Sequence, residues 1–363
     1  MSRTNVGRPR FYINVLEWLS ATGFITTLEN LNRTLPVKLE RLPSTGEPFS
    51  DYNIDPHAFL GNKTFFAVLG HRGFAQDVSG RLRFDAIYHG PNNQDEDWVM
   101  LFDNIVNSEL DAVAWKANYN GFSIGTFRGD AFQGGLGGAD TLLVRNTSGV
   151  STPLYAGSII IGTYYDMPHS PDLSLTMEIE YGGIKTIETK GGASLSNATY
   201  TKPPAWGLIE AWGLQSGETG QITTGRSGRR IWSLSFSYIQ DSDLFPEISS
   251  HEPYESTSSS GVSYSTAAGT ADLIENGIVT WTDDWWQGNA LLDSDTFFSQ
   301  VIHKTNGGQL PFIFQPDGDG DTPGSGNNNP DQFAICKLNM KSIKFQQQAP
   351  NLYRVSLKIR EVW

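Results

Sequence analysis

The sequence predicts an all-β protein that contains few helices. Three segments alternate apolar and polar side chains with a period of two: Leu173–Tyr181, Trp232–Tyr238 and Tyr353–Ile359. This period places the apolar side chains on one face of a strand, as a half-buried antiparallel sheet requires. The 38 glycines and 18 prolines are scattered, which is typical of many turns between short strands. Aromatic residues make up 12% of the chain, and each can bury a large area in a core.

Four shorter apolar runs predict further strands, because each is bounded by glycine, asparagine or aspartate. These runs are Thr64–Leu69, Leu82–Tyr88, Thr141–Val144 and Ser158–Ile161. These runs and the alternating segments together place predicted strands in both halves of the chain.

The segment Asp295–Thr305 is the strongest predicted helix. Four apolar residues form one stripe along it: Phe297, Phe298, Val301 and Ile302. Acidic residues precede the segment and His303-Lys304 lies near its end, an order that complements the helix dipole. Gly307 and Gly308 supply the turn that ends it.

A second, short helix is predicted over Asn14–Thr22. Asn14 can cap its first turn, Glu17 follows three residues later, and Gly23 ends it.

A length of 363 residues exceeds the usual size of one domain, so two domains are expected, with one long sandwich as the alternative. We place the boundary near Pro168–Asp172, which gives a β-sandwich over residues 1–170, with an N-terminal arm, and a second β domain over residues 171–363. The segments Glu252–Gly269 and Pro316–Pro330 are poor in aliphatic residues and are predicted to be loops.

The formal net charge of −13 argues against a protein whose main task is to bind nucleic acid, since phosphate binding needs a concentrated basic surface. The single cysteine, Cys336, excludes a disulfide within one chain and lies in an apolar run, which predicts a buried, unreactive thiol. The basic N-terminus precedes no apolar stretch of signal-peptide length, and no stretch is long enough to span a membrane. We therefore expect the chain to stay in the cytoplasm where it is made, unless a particle carries it out.

Paired carboxylates beside aromatic rings suggest one catalytic candidate. Asp283 and Asp284 lie among Trp281, Trp285 and Trp286, a composition found in glycosidase subsites. Adjacent residues on a strand point in opposite directions, so a packing or interface cluster is the favoured interpretation. The chain has no nucleophile elbow and no P-loop, and Gly134–Gly138 is interpreted as a flexible turn. We expect no enzymatic activity.

The acidic residues Asp317, Asp319 and Asp321 resemble the first half of a helix–loop–helix calcium site. Such a loop needs glycine at its sixth position and glutamate at its twelfth, where this chain has Thr322 and Asn328. A solvated turn is favoured, and a weak calcium site at 317–321 stays an alternative. The six histidines lack zinc-ligand spacing: His57, His71, His89, His169, His251 and His303. No residue is assigned a catalytic, cofactor-binding or metal-binding role, and no cofactor is expected.

A basic run, Arg226, Arg229 and Arg230, leads into the predicted strand that contains Trp232. Contact with passing DNA is one interpretation. Pairing with the carboxylates of a neighbouring subunit is the favoured one.

Several segments resemble those of marine tailed-phage virion proteins. They are Arg8–Tyr12, Gly183–Asn197, Ser227–Tyr238, Gly307–Asp317, Phe333–Leu338 and the closing run Arg360–Trp363. The order of elements in residues 171–363 is similar to that of the tail-tube and distal-tail domain, in which a small β-barrel or sandwich carries one helix. This resemblance covers much of the last 190 residues.

The first half is similar, more loosely, to the galactose-binding type of jelly-roll module. The stretches that carry this similarity are Phe65–Arg72, Trp115–Phe127 and Gly157–Gly162.

These resemblances imply a non-enzymatic structural component of a phage virion, which forms a ring at the tail tip or baseplate. The implied location is the virion tail. The implied partners are further copies of the chain, other phage tail proteins and a host-surface glycan, with DNA only as passing cargo. The alternative is a receptor- or glycan-binding tail module, followed by a capsid decoration protein and then a tail depolymerase.

Overall fold

The protein is all-β, and its fold is described from a computed structural model. The description covers residues 6–35, 40–42, 48–52, 63–69, 84–89, 96–102, 123–127, 142–146, 155–180, 184–198, 214–216, 222–224, 229–246, 294–318 and 332–362. Within these residues, no helix is long and apolar enough to cross a membrane.

Twenty strands are described. They are β1 (Arg10–Asn14), β2 (Glu40–Arg41), β3 (Pro48–Tyr52), β4 (Thr64–Leu69), β5 (Phe84–His89), β6 (Glu96–Phe102), β7 (Ser123–Phe127), β8 (Leu142–Asn146), β9 (Tyr155–Ala156), β10 (Ser158–Asp166), β11 (Thr176–Glu180), β12 (Ile184–Glu188), β13 (Ser194–Ala198), β14 (Leu214–Ser216), β15 (Ile222–Thr224), β16 (Arg229–Gln240), β17 (Phe312–Gln315), β18 (Ala334–Leu338), β19 (Lys344–Ala349) and β20 (Leu352–Glu361). The helical segments are α1 (Val15–Thr22), a 3-10 turn (Asn30–Asn32), α2 (Asp241–Leu244) and a π-helix (Phe298–His303).

Ten strands form one antiparallel sheet, which we call the main sheet. Its order is β11-β16-β20-β18-β17-β1-β10-β4-β7, and β19 pairs with β20 beside β18. The first strand of the chain is central, because β1 pairs with β10 on one side and with β17 on the other. The remaining described strands form a four-stranded sheet, β3-β8-β5-β6, and three two-stranded sheets, β12-β13, β14-β15 and β2-β9.

The central strands of the main sheet are buried on both faces, which explains their continuous apolar runs. On β1, Phe11 and Ile13 belong to one core cluster, whereas Tyr12 belongs to a second cluster on the opposite face. On β17, Phe312 and Ile313 divide between the same two clusters. The first cluster, on what we call face A, also includes the π-helix. The second cluster lies on face B.

The predicted division at residue 170 falls between two strands of the main sheet, β10 and β11. Strands on both sides of this point are joined by hydrogen bonds, since β1 pairs with both β10 and β17. The division into two domains stays a prediction.

The predicted N-terminal helix is confirmed as α1. Asn14 caps it, because its Oδ1 accepts a hydrogen bond from the Glu17 N–H at 3.3 Å. Gly23 ends it in the left-handed conformation, with φ of 88°. The Glu17 carboxylate accepts from the Thr34 N–H at 3.0 Å, so the capping residues also fix the segment that follows the helix.

The second predicted helix differs from expectation. Instead of an α-helix over 295–305, the chain forms a π-helix over Phe298–His303, although Gly307 and Gly308 end it with positive φ as predicted. The physical reason is burial of the polar side as well as the apolar stripe: Ser299 and Lys304 are both buried. A segment buried all round is not held in the geometry of an amphipathic surface helix, and π-helical turns are typical of such irregular sites.

The strand that contains Trp232 also departs from strict alternation. A β-bulge lies between Phe236 and Ile239, so Ser237 and Tyr238 both face one residue of β20. The core position predicted for Tyr238 is therefore taken by Ile239, which is buried, whereas Tyr238 is exposed and has a φ of 63°.

Candidate functional site

Several residues singled out in the sequence lie outside the described residues. They are Trp281, Asp283, Asp284, Trp285, Trp286, Asp319, Asp321, Thr322, Asn328, Arg226 and Gly134–Gly138. Cys336 is described and fully buried, as predicted. The carbonyl of Asp317 accepts from Gln315 Nε2 at 3.2 Å. Among the described residues, no group of three or more histidine, cysteine, aspartate or glutamate side chains is placed to hold a metal ion.

The first charged cluster joins Arg230 to Glu361. The Arg230 Nε lies 3.3 Å from Glu361 Oε2, and its Nη2 lies 3.3 Å from Oε1. The Arg230 backbone N–H donates to the same carboxylate at 3.0 Å, and Nη2 donates to the Phe333 carbonyl at 2.7 Å. The guanidinium carbon lies 5.0 Å from the centre of the Trp232 ring, a cation–π distance.

This cluster corrects one prediction. Arg230 pairs with a carboxylate of its own chain rather than with that of a neighbouring subunit, and it is buried rather than available to DNA. The register explains the pairing, since β16 and β18 flank the end of β20 that carries Glu361. Because both partners lie at the end of the face A core, the pair joins three strands and serves a structural role.

The second charged cluster joins Arg10 to Asp166, which face each other across β1 and β10. Arg10 Nε lies 2.6 Å from Asp166 Oδ1 and Nη2 lies 3.1 Å from Oδ2, so the contact is bidentate. The guanidinium carbon also lies 4.4 Å from the centre of the Tyr164 ring. Burial lowers the pKa of Arg10, but Tyr12 and Asp166 outweigh it, so the pKa lies above its usual value.

The Arg10 cluster fixes the N-terminal arm. Arg8 Nε donates to the Met167 carbonyl, and the Gly318 N–H donates to the Arg8 carbonyl at 2.7 Å. An added Cβ at Gly318 would lie 2.9 Å from the Arg10 Cβ, which shows how closely the arm and the loop after β17 approach. These contacts enclose the Arg10 guanidinium. They join the N-terminal arm to the loop after β17 and to the end of β10.

Tyr165 and Lys304 are further buried residues with polar groups. Burial raises the pKa of the Tyr165 phenol, whose hydroxyl donates to the Asp243 carbonyl at 3.0 Å. Lys304, the residue after the π-helix, donates from Nζ to Gln300 Oε1 at 2.8 Å. Gln300 in turn donates from Nε2 to the Ser294 carbonyl at 2.9 Å, so the network fixes the helix start.

The remaining candidate is a surface, the edge of the main sheet at β11. Among the described residues, β11 pairs only with β16. Its apolar side chains, Met177 and Ile179, lie opposite Trp232 and Arg230 and therefore belong to face A. Met177 is 38% exposed and Ile179 is 44% exposed, whereas Trp232 is buried.

The apolar face of the sheet thus continues onto β11, where Met177 and Ile179 are exposed. The segment Leu173–Tyr181 was predicted to be half-buried, and this prediction is wrong for Leu173, Met177 and Ile179, because all three are exposed. Only Leu175 packs against the face A cluster. We call Leu173, Met177 and Ile179 the edge patch.

A second exposed apolar pair lies on the β12-β13 hairpin. Ile187 and Leu195 face each other across its two strands, and both are exposed. The hairpin is a separate two-stranded sheet, so this pair is not part of the edge patch.

Sequence reasoning found the alternation of β11 but missed its exposure. Alternation indicates that one face is apolar, and it does not say whether anything covers that face. The position of β11 as an edge strand, which decides the question, depends on pairing between distant segments.

Comparison of the chain with protein-family models, curated proteins and solved structures finds no significant match.

Proposed function

We propose that the protein is a non-enzymatic structural component of a phage virion that assembles into a ring at the tail tip or baseplate. The observation that supports this proposal best is the edge patch on β11. The resemblance of Gly183–Asn197, Ser227–Tyr238 and the C-terminal segments to tailed-phage virion proteins supports the phage part.

An edge strand presents unpaired N–H and C=O groups, and proteins that act alone usually protect it with charge, proline or a covering segment. The charges of β11, Glu178 and Glu180, lie on face B, whereas its face A positions carry Met177 and Ile179, and both are exposed. Such a strand is suited to pairing with another chain, which would satisfy its backbone groups and bury the apolar side chains together.

Among the described strands, the main sheet ends at β11 on one side and at β7 on the other. Pairing of β11 with β11 of another copy would give a two-fold dimer, whereas pairing of β11 with a different surface would give a ring or a filament. Structural roles for the Arg10–Asp166 and Arg230–Glu361 clusters support the non-enzymatic part of the proposal.

Replacing both Met177 and Ile179 with lysine should abolish assembly of the purified full-length chain. Two lysines would remove the apolar area of the contact and bury two charges without partners in it. Sedimentation velocity measures the oligomeric state, and electron imaging of the wild-type protein shows whether the oligomer is a closed ring.

The matched control replaces Ile187 and Leu195 with lysine on the β12-β13 hairpin, which removes the same number of exposed aliphatic side chains. This variant should assemble as the wild type does. A wild-type chain that stays monomeric and binds sugars on a glycan array would contradict the proposal and favour a receptor- or glycan-binding tail module. Equal effects of the two double variants would contradict the assignment to β11.

A further inference from the structure

The three methionines that the structure describes differ in how far water and small solutes can reach them. Met167 is fully buried in the face A core, and Met340 is partly buried against the same core. Met177 on β11 is 38% exposed. A dissolved oxidant reacts with a thioether only where it can reach the sulfur, so Met177 is the most accessible of the three.

The other described sulfur atoms are protected by their contacts as well as by burial. The sulfur of Met340 accepts a hydrogen bond from the Lys358 N–H at 3.4 Å, which occupies one of the lone pairs that an oxidant attacks. Cys336, the single cysteine of the chain, is 0% exposed. Among the described sulfur atoms, a peroxide should therefore react first at Met177.

Met177 also belongs to the surface on which the proposed assembly depends. The register of β11 and β16 places it opposite Trp232 on face A, and Ile179 follows on the same face. A polar group introduced at Met177 would therefore lie within the apolar edge patch.

We propose that Met177 is a site of reversible oxidation and that its conversion to methionine sulfoxide dissociates the assembly formed through β11. The inference rests on the proposed function and names a regulation of the same surface. The oxidant is a peroxide, which transfers one oxygen atom. Its O–O bond breaks, a lone pair of the sulfur forms the S–O bond, and hydrogen peroxide leaves as water. The sulfur loses two electrons, and the peroxide gains them.

The sulfoxide weakens the contact because it replaces an apolar, adaptable side chain with a polar one. In the free chain Met177 is exposed, so water can bind the new oxygen. In an apolar contact the oxygen would lose those hydrogen bonds. The cost therefore falls on the assembled state, and the fold of the free chain should be unaffected.

Assembly should in turn protect Met177 from oxidation. A contact that covers the edge patch also covers the Met177 sulfur, so a peroxide would react with the free chain only. The rate of oxidation at Met177 should fall as the concentration of the chain rises, whereas the rate at Met340 should stay the same. Peptide mass spectrometry measures both rates in one sample.

Treatment of the full-length chain with dilute hydrogen peroxide tests the proposal directly. Sedimentation velocity measures the oligomeric state, and mass spectrometry measures the fraction of sulfoxide at each methionine. We expect the dissociation constant of the assembly to rise about tenfold or more as Met177 is oxidised, because a polar group is buried without a partner. Reduction by methionine sulfoxide reductases should restore the original value.

Two variants separate Met177 from the other methionines. Met177→Leu removes the sulfur and keeps an aliphatic side chain, so peroxide should not change the dissociation constant that this variant has before treatment. Met340→Leu is the matched control, and its assembly should stay as sensitive to peroxide as that of the wild type.

Normal assembly of a wild-type chain whose Met177 is fully oxidised would overturn the inference. An equal response of the Met177→Leu chain to peroxide would do the same. In both cases the proposed function stands, because the chain assembles before treatment. A wild-type chain that assembles at no concentration would instead contradict the proposed function, and the inference would fail with it.

Discussion

Replacing Glu361 with glutamine should lower the free energy of unfolding by about 3–5 kcal/mol, the usual cost of removing one partner from a buried ion pair. The Glu361 side chain is 0% exposed and that of Arg230 is 10% exposed, so water cannot solvate the guanidinium when the carboxylate is neutralised. Denaturant unfolding followed by tryptophan fluorescence provides the measurement, because Trp232 lies against the Arg230 guanidinium.

The matched control is Glu180→Gln. Glu180 pairs with Arg360 at 2.6 Å, a shorter distance than any in the Arg230–Glu361 pair, but the side chains are 42% and 32% exposed. Because solvent screens such a pair, its loss should cost only about 0–1 kcal/mol. Equal losses in the two variants would show that burial does not determine the strength of these pairs.

Replacing Gly162 with alanine should destabilise the fold by at least the cost of ordinary overpacking, about 1–3 kcal/mol. Gly162 lies in β10 between β1 and β4, where it faces Asn14 and Phe65. An added Cβ would lie 1.8 Å from the Ile13 carbonyl oxygen and 3.0 Å from Phe65 Cε1. The first contact is with backbone, so the two central strands must separate to relieve it. Thermal unfolding measures the loss.

The control for this variant is Gly191→Ala in the β12-β13 turn. The nearest atom to an added Cβ there is Thr189 Oγ1, at 4.0 Å, and Gly191 does not have a positive φ. Stability should stay unchanged or rise by about 0.4–1 kcal/mol, because alanine restricts the unfolded chain. A Gly162→Ala protein as stable as the wild type would contradict the close approach of β10 and β1.

Local patterns predicted the elements of this fold well where the chain has one dominant signal. The run Thr64–Leu69 is a strand with the predicted bounds, and the alternating segment Tyr353–Ile359 lies within β20. The Asn14 cap and the Gly23 end of α1 are likewise encoded within a few residues. Such signals are local because backbone geometry and hydrogen bonding in a helix turn involve neighbours in sequence.

Features that depend on distant partners were not predicted. The bulge at Tyr238 and the π-helix at Phe298–His303 arise where packing overrides the simple period. The candidate surfaces could not be predicted for the same reason, because they depend on which distant strands pair with each other. Lys337, Lys344 and Lys358, for example, look unrelated in the sequence until β18 and β19 are placed beside β20.

The central position of β1 has a consequence for biosynthesis. β1 pairs with β10 and with β17, and β17 lies about 300 residues later in the chain than β1. Phe11, Tyr12 and Ile13 thus emerge long before the strand that covers them has been translated. Folding that depends on contacts between such distant segments is intrinsically slow. Apolar surface stays exposed in the meantime, which favours aggregation. The nascent chain must therefore keep one side of this apolar strand soluble until β17 has been translated.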